Sequence, residues 1–427
     1  MSLLQQSPAV PAPPPVTRRP LPSWPIDVLL WGFPVYWLLG LTPFMVILMA
    51  AVMGVLLVVR RGLTIVPGIA PWLAFVTWAV PCALMLDSGL RLVGYAQRTS
   101  NYLAIAVILL YVVNAREHLT TRRIIGGLTL LWVTVIAGGY AGMLFPTGRL
   151  TTPVGLLLPE SITGNEYVRD LVFPPLAEVQ KPWGATEAYI RPSAPFPYTN
   201  GWGSAMALLT PVALAQILLA RSTMLRVFLV LCLAAAVAPA VATLNRGLLL
   251  GVALSVGYVA VRLALRGRVA PFLALVAAMG AAGAAALSGG LLERLSERAD
   301  YGSTDDRGTL YQETFDRTLN SPLLGYGAPR PSELLDISVG TQGQFWMVMF
   351  SFGFVGLGLF VWFLAGAVLR TWRAPATWRL WLHSSLLTAC TLIFFYGLDT
   401  MQLLTVALLA AVLLRDPAAT RPRRVPA

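Results

Sequence analysis

Arg246 stands in the string Leu244-Asn245-Arg246-Gly247, between two apolar runs, and Arg307 lies in a long hydrophilic segment ahead of the last apolar runs. A guanidinium stays charged at any physiological pH and offers a planar donor fork that fits phosphate oxygens in pairs. Two such groups, with Arg191 as a third, suit a pyrophosphate and the charge that develops on a phosphate leaving group. Gln342, flanked by Gly340 and Gly343 where an apolar run begins, can hydrogen-bond a phosphate or a sugar hydroxyl. It cannot take a proton at neutral pH. Backbone N–H groups at that start would also suit an anion. Asp399, at a turn between the last two apolar runs, is a candidate base. Each residue has a plainer reading. Arg246 can snorkel to headgroups, Arg307 can pair with a loop acid, Gln342 can cap a helix, and Asp399 can be an ordinary turn residue.

The rest of the chain must hold these groups in place. Of 427 residues, 57% are hydrophobic and 12% charged, and the mean hydropathy is +0.70. Soluble domains carry about 25% charged residues, so the composition predicts a polytopic membrane protein. Cys82, Cys232 and Cys390 lie in or beside apolar runs and read as small hydrophobes. Apolar runs near 26–40, 42–59, 66–86, 101–114, 122–145, 200–220, 224–244, 247–265, 270–289, 344–369, 380–398 and 400–414 predict about twelve transmembrane helices. The first and fourth runs are short, and the last two are separated by a tight turn. Alternating the sides puts 19 basic residues against three acids in the inner segments, and 12 against 16 in the outer ones. That asymmetry is the positive-inside rule. It accounts for the net charge of +12 without nucleic acid and makes both termini cytoplasmic.

The expected fold is all-α, with two long extracytoplasmic loops that contain short helices. The divisions are a disordered Pro-rich tail (1–25), N-terminal transmembrane helices (26–145) and a first loop (146–199). Central helices (200–289), a second loop (290–343), C-terminal helices (344–415) and a basic tail (416–427) follow. Loops this long generally carry function. In the second, Thr304 caps a helix whose stripe holds Leu310, Tyr311, Phe315 and Leu319. At about 100° per residue, Arg307 aligns with Tyr311, Thr314 and Thr318, while Glu313, Asp316 and Arg317 fall outside, leaving Arg317 to face water. Asn320-Ser-Pro ends the helix and Gly325-Tyr-Gly makes a turn.

Four segments, in order, resemble bacterial O-antigen ligases and Wzy-type O-antigen polymerases. These are the run from Arg191 to Asn200, Asn245-Arg246-Gly247, the stretch from Arg307 through Ser321-Pro-Leu-Leu-Gly-Tyr-Gly327, and Gly353-Phe-Val-Gly356. The similarity covers roughly 185–360. One departure stands out. The family's ligases carry a His-Asn pair eleven residues before the Gly-x-x-Gly, and here that position is Gln342, followed by Gly343. The two histidines, His118 and His383, fall on the inner side.

The resemblance implies a glycosyltransferase in the bacterial cytoplasmic membrane. It would move a glycan from polyprenyl (undecaprenyl) pyrophosphate to an acceptor hydroxyl, in surface polysaccharide biosynthesis. The implied partners are that donor, a glycan or surface-molecule acceptor and membrane lipids. No cofactor is implied, and the outer side shows no Asp-x-Asp or His cluster for a metal. Arg246, Arg307 and Gln342 are the candidate catalytic residues; Arg191, Asn200, Tyr311 and Asp399 are candidates for substrate binding. A lipid-linked glycan flippase or a non-catalytic assembly protein is the alternative. Ion-coupled transport is disfavoured because no ionisable group lies at the centre of an expected span.

Overall fold

The computed structural model describes residues 20–415 apart from 61, 165, 182–187, 289–304 and 336. The basic tail, nearly all of the Pro-rich tail and the Thr304 cap lie outside the described residues. The chain packs into a helical bundle. Its first helices are α1 (Trp24–Trp31) and α2 (Phe33–Leu38); then come α3 (Thr42–Arg60), α4 (Ala70–Ala79), α5 (Gly89–Asn114) and α6 (Thr121–Leu144). The first long loop holds α7 (Pro153–Leu157), α8 (Glu160–Thr163) and α9 (Glu166–Val172), then the antiparallel hairpin β1 (Ala177–Gln180) and β2 (Tyr189–Pro192). The central passages are α10 (Thr199–Leu219), α11 (Thr223–Ala235) with α12 (Val237–Ala242), α13 (Arg246–Ala264) and α14 (Val269–Ser288). The second loop contributes α15 (Asp305–Leu319) and the short antiparallel pair β3 (Arg330–Pro331) and β4 (Ser338–Val339). The chain closes with α16 (Gln344–Thr371), α17 (Thr377–Leu392) and α18 (Thr400–Leu414).

Among the described residues, eight helices are long and apolar enough to cross a membrane, and two shorter apolar helices accompany them. α18 is apolar all round and buried from Met401 to Leu414, as expected of a helix at the centre of a bundle. α11 and α14 sit at the edge and present Met224, Leu231 and Leu273 outward, a surface that water disfavours and lipid tails accept. This is an integral membrane protein.

Three local expectations need correction. The short fourth run belongs to a 26-residue helix, α5, which begins at Gly89 and carries Arg91 and Arg98; polar residues in its first turns hid its start. The last two runs are not joined by a tight turn. α17 stops at Leu392, and residues 393–399 form an irregular segment. Arg317 does not face water. It pairs with Glu313 at 3.1 Å, donates to the Pro331 carbonyl and lies over the Phe350 ring. β3 and β4 cover the face of α15 that the helical stripe left for solvent. The buried face is instead Leu310, Thr314 and Thr318, and Phe315 and Leu319 are exposed.

Gly353 explains how α15 is anchored. Its φ of +68° breaks α16, a conformation an L side chain resists. The Pro-Leu-Leu-Gly-Tyr-Gly turn enters this break. Tyr326 and Gly327 donate to the carbonyls of Phe350 and Ser351, and Phe354 donates to the Pro322 carbonyl. The two motifs thus satisfy each other's backbone groups in a region where an unpaired one is costly.

Candidate functional site: an arginine-lined pocket

Arg246 is the first residue of α13, and Asn245 is its N-cap. The Asn245 Oδ1 accepts the Leu248 N–H at 2.9 Å and the Tyr396 hydroxyl at 2.8 Å. The Tyr396 hydroxyl in turn accepts the Gly247 N–H at 3.0 Å. A Cβ at position 247 would lie 1.9 Å from the Tyr396 ring, so only glycine permits this contact. Each residue of Asn-Arg-Gly therefore has its own part: cap, cation and clearance.

Arg191, on β2, is 2% exposed. Its Nε donates to the Thr243 carbonyl at 2.8 Å and an Nη donates to Gln180 Oε1 at 3.1 Å. Glu178, 3.9 Å away, also accepts the Thr199 N–H. The hairpin thereby ties Arg191 to the starts of both α10 and α13.

Arg307 lies in the first turn of α15, half-buried. One turn on, Tyr311 stacks on Trp346, with ring centroids 4.3 Å apart and planes 11° from parallel. Its hydroxyl donates toward the carbonyls of Gln342 (3.2 Å) and Phe394 (3.3 Å). Burial raises the pKa of that hydroxyl, and the nearby charge of Arg307 opposes the rise.

These three elements meet around a pocket of about 550 Å³. Arg191, Asn200, Arg246, Arg307 and Tyr311 all line it, together with Asn245 and Tyr396. No Asp or Glu does. Three guanidinium groups, of which Arg191 also lies 3.9 Å from Glu178, and the positive end of the α13 dipole give it a lining that suits an anion. Each charge-assisted hydrogen bond there is worth about 1.5–3 kcal/mol.

Two expected members lie elsewhere. The Gln342 side chain donates to its neighbour Thr341 at 3.3 Å and does not line the pocket. The start of α16 offers no anion site either, because Gln344 and Phe345 donate to the carbonyls of Tyr396 and Ile393. Gln342 caps nothing, since Gly343 is the N-cap. Asp399 lines a second cavity of about 470 Å³, which Trp37, Thr42, Arg98, Asn101 and Tyr198 share. Its side chain is open to that cavity, yet protein surrounds it, and this desolvation pushes its carboxyl up to about 6. Glu313 is held below the ordinary carboxylate range; burial acts to raise it, but hydrogen bonds from Ser332, the Glu333 N–H and Arg317 outweigh that.

Sequence reasoning missed Tyr396, which reaches across 151 residues to Asn245, and Arg98. For Tyr396 the sequence holds no signal beyond an aromatic near the end of an apolar run. For Arg98 the signal was an arginine within helical reach of one. Among the described residues no group of three or more His, Cys, Asp or Glu could hold a metal ion. No protein-family model, curated protein or solved structure matches the chain.

Proposed function

We propose that this chain is a glycosyltransferase of the O-antigen ligase and polymerase type, working on a polyprenyl pyrophosphate donor. The chain is read as twelve crossings, with both termini cytoplasmic and the arginine pocket at the outer face of a bacterial cytoplasmic membrane. One observation carries the reading. Arg191, Arg246 and Arg307, remote in sequence, converge on one pocket, whose lining among the described residues holds no acid. In the reaction, the acceptor oxygen bonds to the anomeric carbon of the donor sugar. The bond from that carbon to the phosphate oxygen breaks, and the pyrophosphate leaves with the electron pair. The acceptor proton is released. Arg246 and Arg307 meet the charge that grows on the leaving group, a role the catalysis of other charged leaving groups makes worth several kcal/mol. Arg191, nearly fully buried, sets one wall, and Tyr311 fixes the helix that carries Arg307. Gln342 takes no part in this clamp.

The test is complementation of a deletion strain with wild type, Arg246→Ala and Arg307→Ala at matched protein levels. Surface glycan and lipid-linked donor are both quantified. The expected result is loss of glycan with accumulation of donor in both variants. Normal glycan and donor in both overturns the clamp and moves a transport or scaffold role ahead.

A further inference from the structure

We propose that the second cavity is a separate ligand site, which takes an uncharged, hydroxyl-rich chain: the acceptor glycan of the transfer. The inference rests on the glycosyl-transfer reading and adds to it where the acceptor sits. The cavity differs in kind from the arginine pocket. Its charged lining is Arg98, Asp170 and Asp399, and Asp170 is paired with Arg149 at 2.6 Å, so it has no cluster of cations to draw a pyrophosphate. The remainder alternates flat apolar faces, such as Trp37 and Tyr198, with uncharged hydrogen-bonding side chains, such as Thr42 and Asn101. Sugars present the same alternation of C–H faces and hydroxyls, and aromatic bodies with polar tips match it.

A second observation points the same way. The Trp37 indole Nε1, the Thr42 hydroxyl and the Asn101 Oδ1 are buried polar atoms with no hydrogen-bond partner among the described residues. All three belong to side chains that line this cavity. Buried polar atoms are nearly always paired, with protein or with a bound molecule. Each of these atoms is closed off from the cavity as its side chain stands, so a polyol hydroxyl would satisfy it only once that side chain turns.

The cavity also lies back to back with the arginine pocket. Phe395 and Tyr396 line the pocket, whereas Gly397, Leu398 and Asp399 line the cavity. Likewise Tyr198 faces the cavity and Asn200 the pocket. Two short stretches of chain therefore separate the compartments.

Gly94 allows the cavity to be filled without touching the arginines. It lines the cavity, and a Cβ there meets nothing within 4 Å. Membrane vesicles from the complemented deletion strain hold both natural substrates. In them, Gly94→Phe should transfer glycan at least tenfold more slowly while retaining donor like wild type, and Gly94→Ala should stay within twofold. Gly94→Phe transfer within twofold of wild type overturns the proposal, as does an equal loss of donor retention. If the Phe variant fails to accumulate, Asn101→Leu decides. A threefold or larger fall at limiting acceptor that excess acceptor restores supports the site, and an unchanged rate overturns it. Arg246→Ala and Arg307→Ala run alongside. If they are inactive and the cavity variants normal, the acceptor site alone falls; if they too are normal, the transfer reading falls.

Discussion

The two ends of the bundle use arginine differently. At the end away from the long loops, arginines close helix ends on backbone carbonyls. Arg60 donates to Asn114, Arg226 to Ala220, Arg262 to Trp372, Arg266 to Ala374 and Arg415 to Val112, at 2.6–3.0 Å. Cations at helix C-termini satisfy the last carbonyls and complement the dipole. At the loop end, Arg246 stands at a helix N-terminus, where the dipole opposes a cation, and Arg307 in a first turn does the same. The comparison teaches that surroundings separate the two uses: at one end the guanidinium groups close on backbone carbonyls, and at the other they share the lining of one pocket.

The sharpest way to break this contrast is to compare truncations at the two ends. Arg307→Ala should lower transfer by 10²-fold or more, on the order of the loss of one preorganised donor to a developing anion, with little change in thermal stability. Arg262→Ala should do the reverse, lowering the melting temperature and leaving transfer per folded molecule within about twofold. Equal activity losses would erase the distinction. Next comes Gly247→Ala, which forces Tyr396 away and tilts the Asn-Arg-Gly corner. We expect about a tenfold loss of transfer with a lowered melting temperature, measured on the same samples.

Asp399 sharpens the comparison through pH. Its folded carboxyl is raised to about 6, above an ordinary value of about 3.9. A raised acid favours the fold fully below the unfolded value, and that contribution is lost as pH rises through the folded one. At pH 7.5 the ionised form is therefore a burden, so Asp399→Asn should melt higher than wild type there, and the difference should close toward pH 4. An Asn variant that melts lower at pH 7.5 contradicts the desolvated placement. The smallest effect should come from Gln342. Gln342→Ala is expected to stay within about twofold of wild-type transfer, because its side chain hydrogen-bonds Thr341 and does not line the arginine pocket.

Much of the fold was legible because membrane passages are set by length and apolarity, local properties of the chain. The helical character of the long apolar runs, the helix from Asp305 to Leu319 and the placing of Thr314 and Thr318 on one face with Arg307 all follow from local periodicity. The convergence of Arg191, Arg246 and Arg307 was legible only as residue types beside breaks in the apolar pattern. What stayed hidden depends on tertiary contact. Arg317 was assigned to water because nothing in its own helix announces β3 and β4. The start of α16 was offered to an anion because nothing local shows that residues 393–396 cover its N–H groups. The start of α5 was placed late because a window on hydropathy stops where arginines begin, although the helix does not.

The irregular segment at 393–399 has one more consequence. It packs its carbonyls on α16, its tyrosine on α13 and its aspartate beside Gly201 of α10. Its two faces line different compartments, so a ligand that moved this segment from one side would move it on the other as well. Occupancies of the two compartments are then thermodynamically linked, and linkage of this kind is reciprocal. A donor that tightens acceptor capture must itself be held more tightly once the acceptor has arrived.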